Sequence, residues 1–151
     1  MSRKNRLAIA LMLASAGPIF AQDSGQNDPT PEGVVRQCTR TLVRATKRSV
    51  RAMRHTTQHS VTLITKLNEA GRDEAAAAVA QRTTILIGRI TERGLSRIAE
   101  LADRCAAQLG EIGAPPEMLD VLDERVDRAI GAVTQAQEAA VAAIAEALAR
   151  T

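Results

Sequence analysis

The chain has 151 residues, with 20 basic and 17 acidic side chains, no Trp, no Tyr and a single Phe at position 20. Without Phe, Tyr or Trp after residue 20, it lacks the side chains on which nucleic-acid bases most often stack and the Trp and Tyr typical of interface hot spots. Three of the basic residues precede residue 22, so residues 22–151 carry 17 charges of each sign, and net charge alone predicts no affinity for nucleic acid.

The first 21 residues have the pattern of a secretory signal peptide. Three basic residues precede an uncharged, mostly apolar run of 14 residues (7–20), and Ala21 supplies the small residue before the predicted cleavage point. The run is shorter than the roughly 20 residues that a membrane-spanning helix needs. We therefore expect removal of residues 1–21 and export of the mature protein to the periplasm or the exterior. An uncleaved membrane anchor is the less favoured alternative.

Residues 22–31, QDSGQNDPTP, are polar and contain Gly and Pro, which predicts a disordered lead-in. Three amphipathic segments follow, and none shows the alternation of a β-strand, which predicts an all-α protein. The predicted helices span residues 32–68, 73–111 and 116–149. Gly71 is predicted to end the first helix and Asp73 to cap the second, while Gly113 and Pro116 separate the second from the third.

The two cysteines lie on the apolar stripes of the first two helices and indicate their register. In an antiparallel hairpin the numbers of facing residues add up to a constant, and the value of 143 from Cys38 and Cys105 places the turn at Gly71. The same constant pairs Ser49 with Gly94. In an exported protein we expect a disulfide between the two cysteines. If Gly71 did not interrupt the helix, an antiparallel dimer of long helices would satisfy the same pairing, and the sequence does not separate these alternatives.

The third helix is predicted to fold back on the second, which gives an elongated up-down-up three-helix bundle over residues 32–151. At 1.5 Å per residue, its length would be about 50–55 Å. The first and third helices are then parallel. Alanine-rich residues 75–78 and 136–149 meet at one end, where we expect close packing of the helices.

Basic side chains are concentrated in the first helix. Residues 31–68 contain eight basic and one acidic residue, whereas residues 116–151 contain three basic and seven acidic residues. The candidate anion-binding residues, called the basic stretch below, are Arg36, Arg40, Arg44, Lys47, Arg48, Arg51 and Arg54. Two interpretations are open: neutralisation by acidic residues 117–127 of the parallel third helix, or binding of an anionic surface such as lipid headgroups, polysaccharide or nucleic acid.

No catalytic residue is predicted, because the sequence contains no Gly-rich phosphate loop, no Gly-x-Ser-x-Gly motif and no haem-attachment motif. His55 and His59 are four residues apart, but the nearby Arg51 and Arg54 disfavour a metal ion, so we expect neither a metal nor a cofactor. The sequence thus favours a non-catalytic module of the cell envelope, which acts structurally or through a protein partner or self-association. The alternative is an anionic-surface binder that uses the basic first helix. We expect no small-molecule substrate in either case.

Overall fold

A computed structural model describes residues 29–150, which form α1 (Pro31–Glu69), α2 (Asp73–Glu111) and α3 (Pro116–Ala149). No strand occurs in this part of the chain, and the predicted all-α fold is confirmed. The bounds of α2 and α3 agree with the prediction, whereas α1 extends one residue further at each end. Pro31, predicted as the last residue of the lead-in, is therefore helical. The predicted signal peptide, and the lead-in up to residue 28, lie outside the described residues.

The three helices form one bundle in which each helix packs against the other two. The order is up-down-up, as predicted, so α1 and α3 are parallel. With 39 residues, α1 is about 58 Å long at 1.5 Å per residue. Large side chains from all three helices are almost completely buried in the core. They are Leu42, Met53 and Ile64 of α1, Ile87, Ile98 and Leu109 of α2, and Leu122 and Val133 of α3.

Glycines end α1 and α2 by the same backbone motif. Gly71 has φ 66°, and the N–H of Arg72 donates to the carbonyl of Leu67 at 2.9 Å, which is the long hydrogen bond of a Schellman motif. Gly113, with φ 62°, has the same role after α2. Only Gly adopts this left-handed conformation without strain. The chain therefore turns back at Gly71, and the structure contains the intrachain hairpin rather than the dimer of long helices.

The helix starts differ from each other in how they are capped. The hydroxyl of Thr30 accepts a hydrogen bond from the N–H of Gly33 at 3.1 Å, which satisfies one of the free donors at the start of α1. The predicted capping role of Asp73 is wrong, because the cap position of α2 is Arg72 and no side chain caps this end. Asp73 is the first helical residue, where its carboxylate still interacts favourably with the helix dipole.

The register of α1 against α2 is the predicted one. Cys38 and Cys105 form a disulfide, with their Cα atoms 6.1 Å apart. Further along the hairpin, the hydroxyl groups of Thr83 and Ser60 are hydrogen-bonded to each other at 2.8 Å, and these two residue numbers also add up to 143. The buried hydroxyl thus has its partner across the interface, where an unpartnered polar group would be costly.

Among the described glycines, Gly94 of α2 is the one at which a neighbouring helix, α1, lies closest. A Cβ atom at this position would lie 2.7 Å from Oγ and 3.1 Å from Cβ of Ser49, and 3.7 Å from Cγ1 of Val133. The hydroxyl of Ser49 can rotate away, but its Cβ is fixed to the backbone of α1. An added methyl group would therefore force α1 and α2 apart.

We expect Gly94→Ala to lower the free energy of unfolding by about 1–3 kcal/mol, the usual cost of overpacking a core. Gly88→Ala in the same helix is the matched control, because a Cβ there meets nothing within 4 Å. The control should raise stability by up to about 1 kcal/mol, since Ala is the better helix former. Urea denaturation followed by circular dichroism measures both. Equal effects of the two substitutions would contradict the close contact at Gly94.

Candidate anion-binding surface

All seven side chains of the basic stretch are exposed on α1. Successive members are mostly three or four residues apart, so they form a band along one side of the helix. From Arg36 to Arg54 the band is about 27 Å long at 1.5 Å per residue. The opposite side of the same helix carries buried residues such as Leu42 and Met53. The amphipathic pattern of α1 thus orients the cationic band towards solvent.

The ion pairs of the described chain do not involve the basic stretch. Within residues 29–150 each ion pair joins residues three or four apart in the sequence. These pairs are Arg97–Glu100 at 2.9 Å, Arg104–Glu100 at 3.9 Å, Arg128–Glu124 and Arg150–Glu146. The carboxylate of Glu124, in the acidic part of α3, is thus bonded within its own helix. Among residues 29–150 no ion pair joins the basic stretch to the acidic residues of α3.

The alignment of the parallel helices explains why neutralisation of α1 by α3 is incomplete. Val50 and Arg54 line a shallow cleft of about 200 Å³ together with Ala136 and Ala139, so this part of the basic stretch lies beside the alanine-rich segment of α3. Asp127, the last member of the acidic run, precedes Ala136 by nine residues, which is about 14 Å along the helix. This distance exceeds the Debye length of about 8 Å at physiological salt. Arg54, at the C-terminal end of the basic stretch, is therefore screened from the acidic run.

A groove of about 410 Å³ lies between α1 and α2, along one edge of the basic stretch. Arg44 and Arg48 line it from α1, and Arg93 and Arg97 line it from α2. Its other lining residues are small, hydroxylated or aliphatic: Thr41, Ala45, Ser49, Ala52, Ile90, Gly94 and Leu101. No carboxylate among the described residues lines the groove. Four arginines, two from each helix, thus line one recess.

The predicted anion-binding residues all lie on α1 and do not include Arg93 and Arg97. The hairpin register contained the signal, because the constant of 143 places Arg97 opposite Thr46, within one turn of Arg48. Applied to charged residues as well as to apolar ones, the register would have predicted a site shared by the two helices.

The remaining sequence-based candidates give no second site in the described chain. His55 and His59 are both exposed, and residues 29–150 contain no group of three His, Cys, Asp or Glu side chains arranged to hold a metal ion. None of the three helices is long and apolar enough to cross a membrane. The cationic band and the adjoining groove therefore remain the main surface features to be explained.

No protein-family model matches the sequence, and neither a curated protein nor a solved structure was found to be similar to the chain. By its geometry the protein is a disulfide-linked three-helix bundle with one cationic face.

Proposed function

We propose that the protein is an exported, non-catalytic binding module that holds an anionic partner against the cationic face of α1. The observation behind this proposal is that seven exposed basic side chains have no carboxylate partner among residues 29–150. Like charges four residues apart destabilise a helix by about 0.2–0.5 kcal/mol per pair. An anionic partner would offset this repulsion, which nothing within the described bundle does directly.

The residue types of the band favour oxyanions as the bound groups. Six of the seven basic residues are Arg, and only Lys47 is Lys. The planar guanidinium group forms two parallel hydrogen bonds to phosphate, sulfate or carboxylate oxygens, whereas the ammonium group of Lys acts as a point charge. The proposal therefore specifies partners that carry phosphate, sulfate or carboxylate groups.

Export is supported by two independent features of the chain. Residues 1–21 have the sequence pattern of a signal peptide, and the Cys38–Cys105 disulfide is of a kind that persists in oxidising compartments. N-terminal sequencing of the mature protein is expected to find Gln22 at or near the start. A cytosolic protein that retains residues 1–20 would contradict this part of the proposal.

A protein-interaction or structural module of the cell envelope is the second candidate. It is favoured by Ile85 and Leu86, two adjacent large aliphatic side chains of α2 that are 52% and 46% exposed. Burial of exposed aliphatic side chains by a partner protein, or by a second copy of the chain, stabilises the complex. Such an interface would depend little on ionic strength, which separates it from an electrostatic one.

The test is binding of the purified protein to heparin and to vesicles containing anionic lipid, measured at low and at moderate salt. We expect binding at about 50 mM salt and an affinity about 100-fold lower at about 200 mM, as for release of roughly four counterions. Vesicles of neutral lipid are the control and should not bind. If neither anionic probe binds even at low salt, the proposal is wrong and the protein-interaction module remains.

A further inference from the structure

We propose that the groove between α1 and α2 is a binding site for the sulfate or phosphate groups of a linear anionic glycan, which lies lengthwise between the arginines of the two helices. This inference rests on the proposed function. It adds that the charged groups of the partner are held in the groove, by residues of α2 as well as of α1.

The dimensions of the groove suit an extended chain. Its lining on α1 runs from Thr41 to Ala52, which is about 16 Å at 1.5 Å per residue. Arg44 and Arg48 are one helical turn apart, about 6 Å, and so are Arg93 and Arg97 on the facing helix. The two walls thus offer successive guanidinium groups along the groove, each able to form a paired hydrogen bond with an oxyanion.

The shape of the groove depends on the small residues between its arginines. Gly94 and Ser49 pack so closely that a Cβ on Gly94 would lie 2.7 Å from Oγ of Ser49. The helices are therefore in contact beneath the arginine side chains, and Ala45 adds a further short side chain to the lining. The result is a recess with long cationic side chains at its sides. A single narrow chain can enter such a recess, whereas a flat bilayer would meet mainly the outer ridge of α1.

The charges around the groove leave it open to an anion. In the described chain only Arg97 of the four arginines has a carboxylate partner, Glu100 at 2.9 Å. Both side chains of this pair are 52% exposed, and exposed ion pairs contribute little to stability. An oxyanion that contacts guanidinium groups from both walls can therefore replace this single exposed contact.

The composition of the described chain favours a glycan over single-stranded nucleic acid. Proteins that bind single strands combine a basic groove with aromatic side chains on which the bases stack. Residues 29–150 contain no Phe, Tyr or Trp, so the groove lacks the side chains on which bases most often stack. Sugar rings bearing sulfate or phosphate need only the charged and hydrogen-bonding groups that the groove supplies.

The experiment compares two double variants that each remove two positive charges from α2. Arg93→Gln/Arg97→Gln changes the groove, and Arg82→Gln/Arg89→Gln is the matched control, because both of its positions are exposed and neither lines the groove. Calorimetry at low salt measures binding of a heparin hexasaccharide. We expect the affinity of the groove variant to fall by at least about tenfold. The affinity of the control should change by less than about threefold.

A second measurement does not depend on a folded variant. In the parent protein, the side-chain N–H resonances of Arg44, Arg48, Arg93 and Arg97 should shift on addition of the hexasaccharide, while those of Arg82 and Arg89 should not. Similar shifts of all six arginine resonances, or equal losses of affinity in the two double variants, would show that the groove is not the binding site. The proposed function would then still stand. Failure of the parent protein to bind any anionic probe would instead overturn the proposed function.

Three further probes test the class of ligand at the same low salt. Inorganic sulfate should bind much more weakly than the hexasaccharide, because one oxyanion uses only part of the groove. An oligothymidylate and vesicles of phosphatidic acid should also bind more weakly. If free sulfate matches the hexasaccharide, the site takes a free oxyanion; if the oligonucleotide or the vesicles bind more tightly, the glycan assignment is wrong.

Discussion

Replacing four members of the basic stretch with Gln should weaken binding to anionic vesicles by about 1000-fold at low salt. The four are Arg40, Arg44, Lys47 and Arg51. Each basic side chain near an anionic surface contributes about 1 kcal/mol, so four contribute ~4 kcal/mol, and a factor of ten in affinity corresponds to about 1.4 kcal/mol. Vesicle co-sedimentation over a range of lipid concentrations measures the change.

The same variant should keep its fold and its stability. Because none of the four side chains has an ion-pair partner among residues 29–150, we expect the free energy of unfolding to stay within about 1 kcal/mol or to rise as like charges are removed. If acidic residues of α3 neutralised the stretch, the variant would instead lose stability, by up to about 4 kcal/mol, and high salt would diminish the loss. Urea denaturation at two salt concentrations distinguishes these outcomes.

A matched control removes the same number of charges elsewhere. Its four substitutions to Gln are at the exposed positions Lys66, Arg72, Arg82 and Arg89. Binding by this control should fall by less than about tenfold, because its charges lie outside the basic stretch and are largely screened at distances beyond the Debye length. Equal losses in both variants would mean that net charge, rather than the band on α1, determines binding.

Loss of the disulfide should destabilise the bundle strongly. The bond closes a loop between residues 67 positions apart, and the chain-entropy relation gives about 4 kcal/mol for a loop of this size. For a domain of this length, that corresponds to a fall in melting temperature of roughly 15 °C. We expect Cys38→Ser/Cys105→Ser to show this fall in thermal unfolding followed by circular dichroism.

Two controls accompany the disulfide experiment. A reductant should lower the melting temperature of the parent protein to that of the double Ser variant and should leave the variant unchanged. Mass spectrometry without reductant should find Cys38 linked to Cys105 in the monomer, two hydrogen atoms lighter than the dithiol. Free thiols in the purified protein, or a fall in melting temperature of less than a few degrees, would show that the disulfide contributes little to stability.

The sequence was sufficient to predict the fold because its local signals agree with one another. The residues around Gly71 and Gly113 mark two breaks, and the apolar stripes between them have helical spacing. The cysteines then fix the pairing of α1 with α2, and the contact of Ser49 with Gly94 follows from the same register. The cap at Asp73 was mispredicted because the Schellman motif at Gly71 already places Arg72 at the cap position.

The candidate site could be predicted only in part. The basic band of α1 follows from helical spacing within one segment, and its exposure follows from the apolar stripe on the other side. The relation to α3 depends on the relative axial position of the parallel helices, which follows from the predicted fold-back of α3 on α2 and the register of α2 on α1. That position places Arg54 beside Ala139 rather than beside the acidic run. The groove could have been predicted, because the register that pairs Ser49 with Gly94 also places Arg97 near Arg48.

The position of the disulfide has a consequence for the thermodynamics of association. Cys38 is one turn from Thr41, and Cys105 is one turn from Leu101, and both of these neighbours line the groove. The covalent link therefore holds the two walls at a fixed spacing at one end of the groove before any ligand arrives. Preorganisation of this kind reduces the conformational entropy lost on binding. The oxidation state of the two cysteines is thus expected to influence the affinity of the groove for its ligand, even at temperatures where the reduced bundle remains folded.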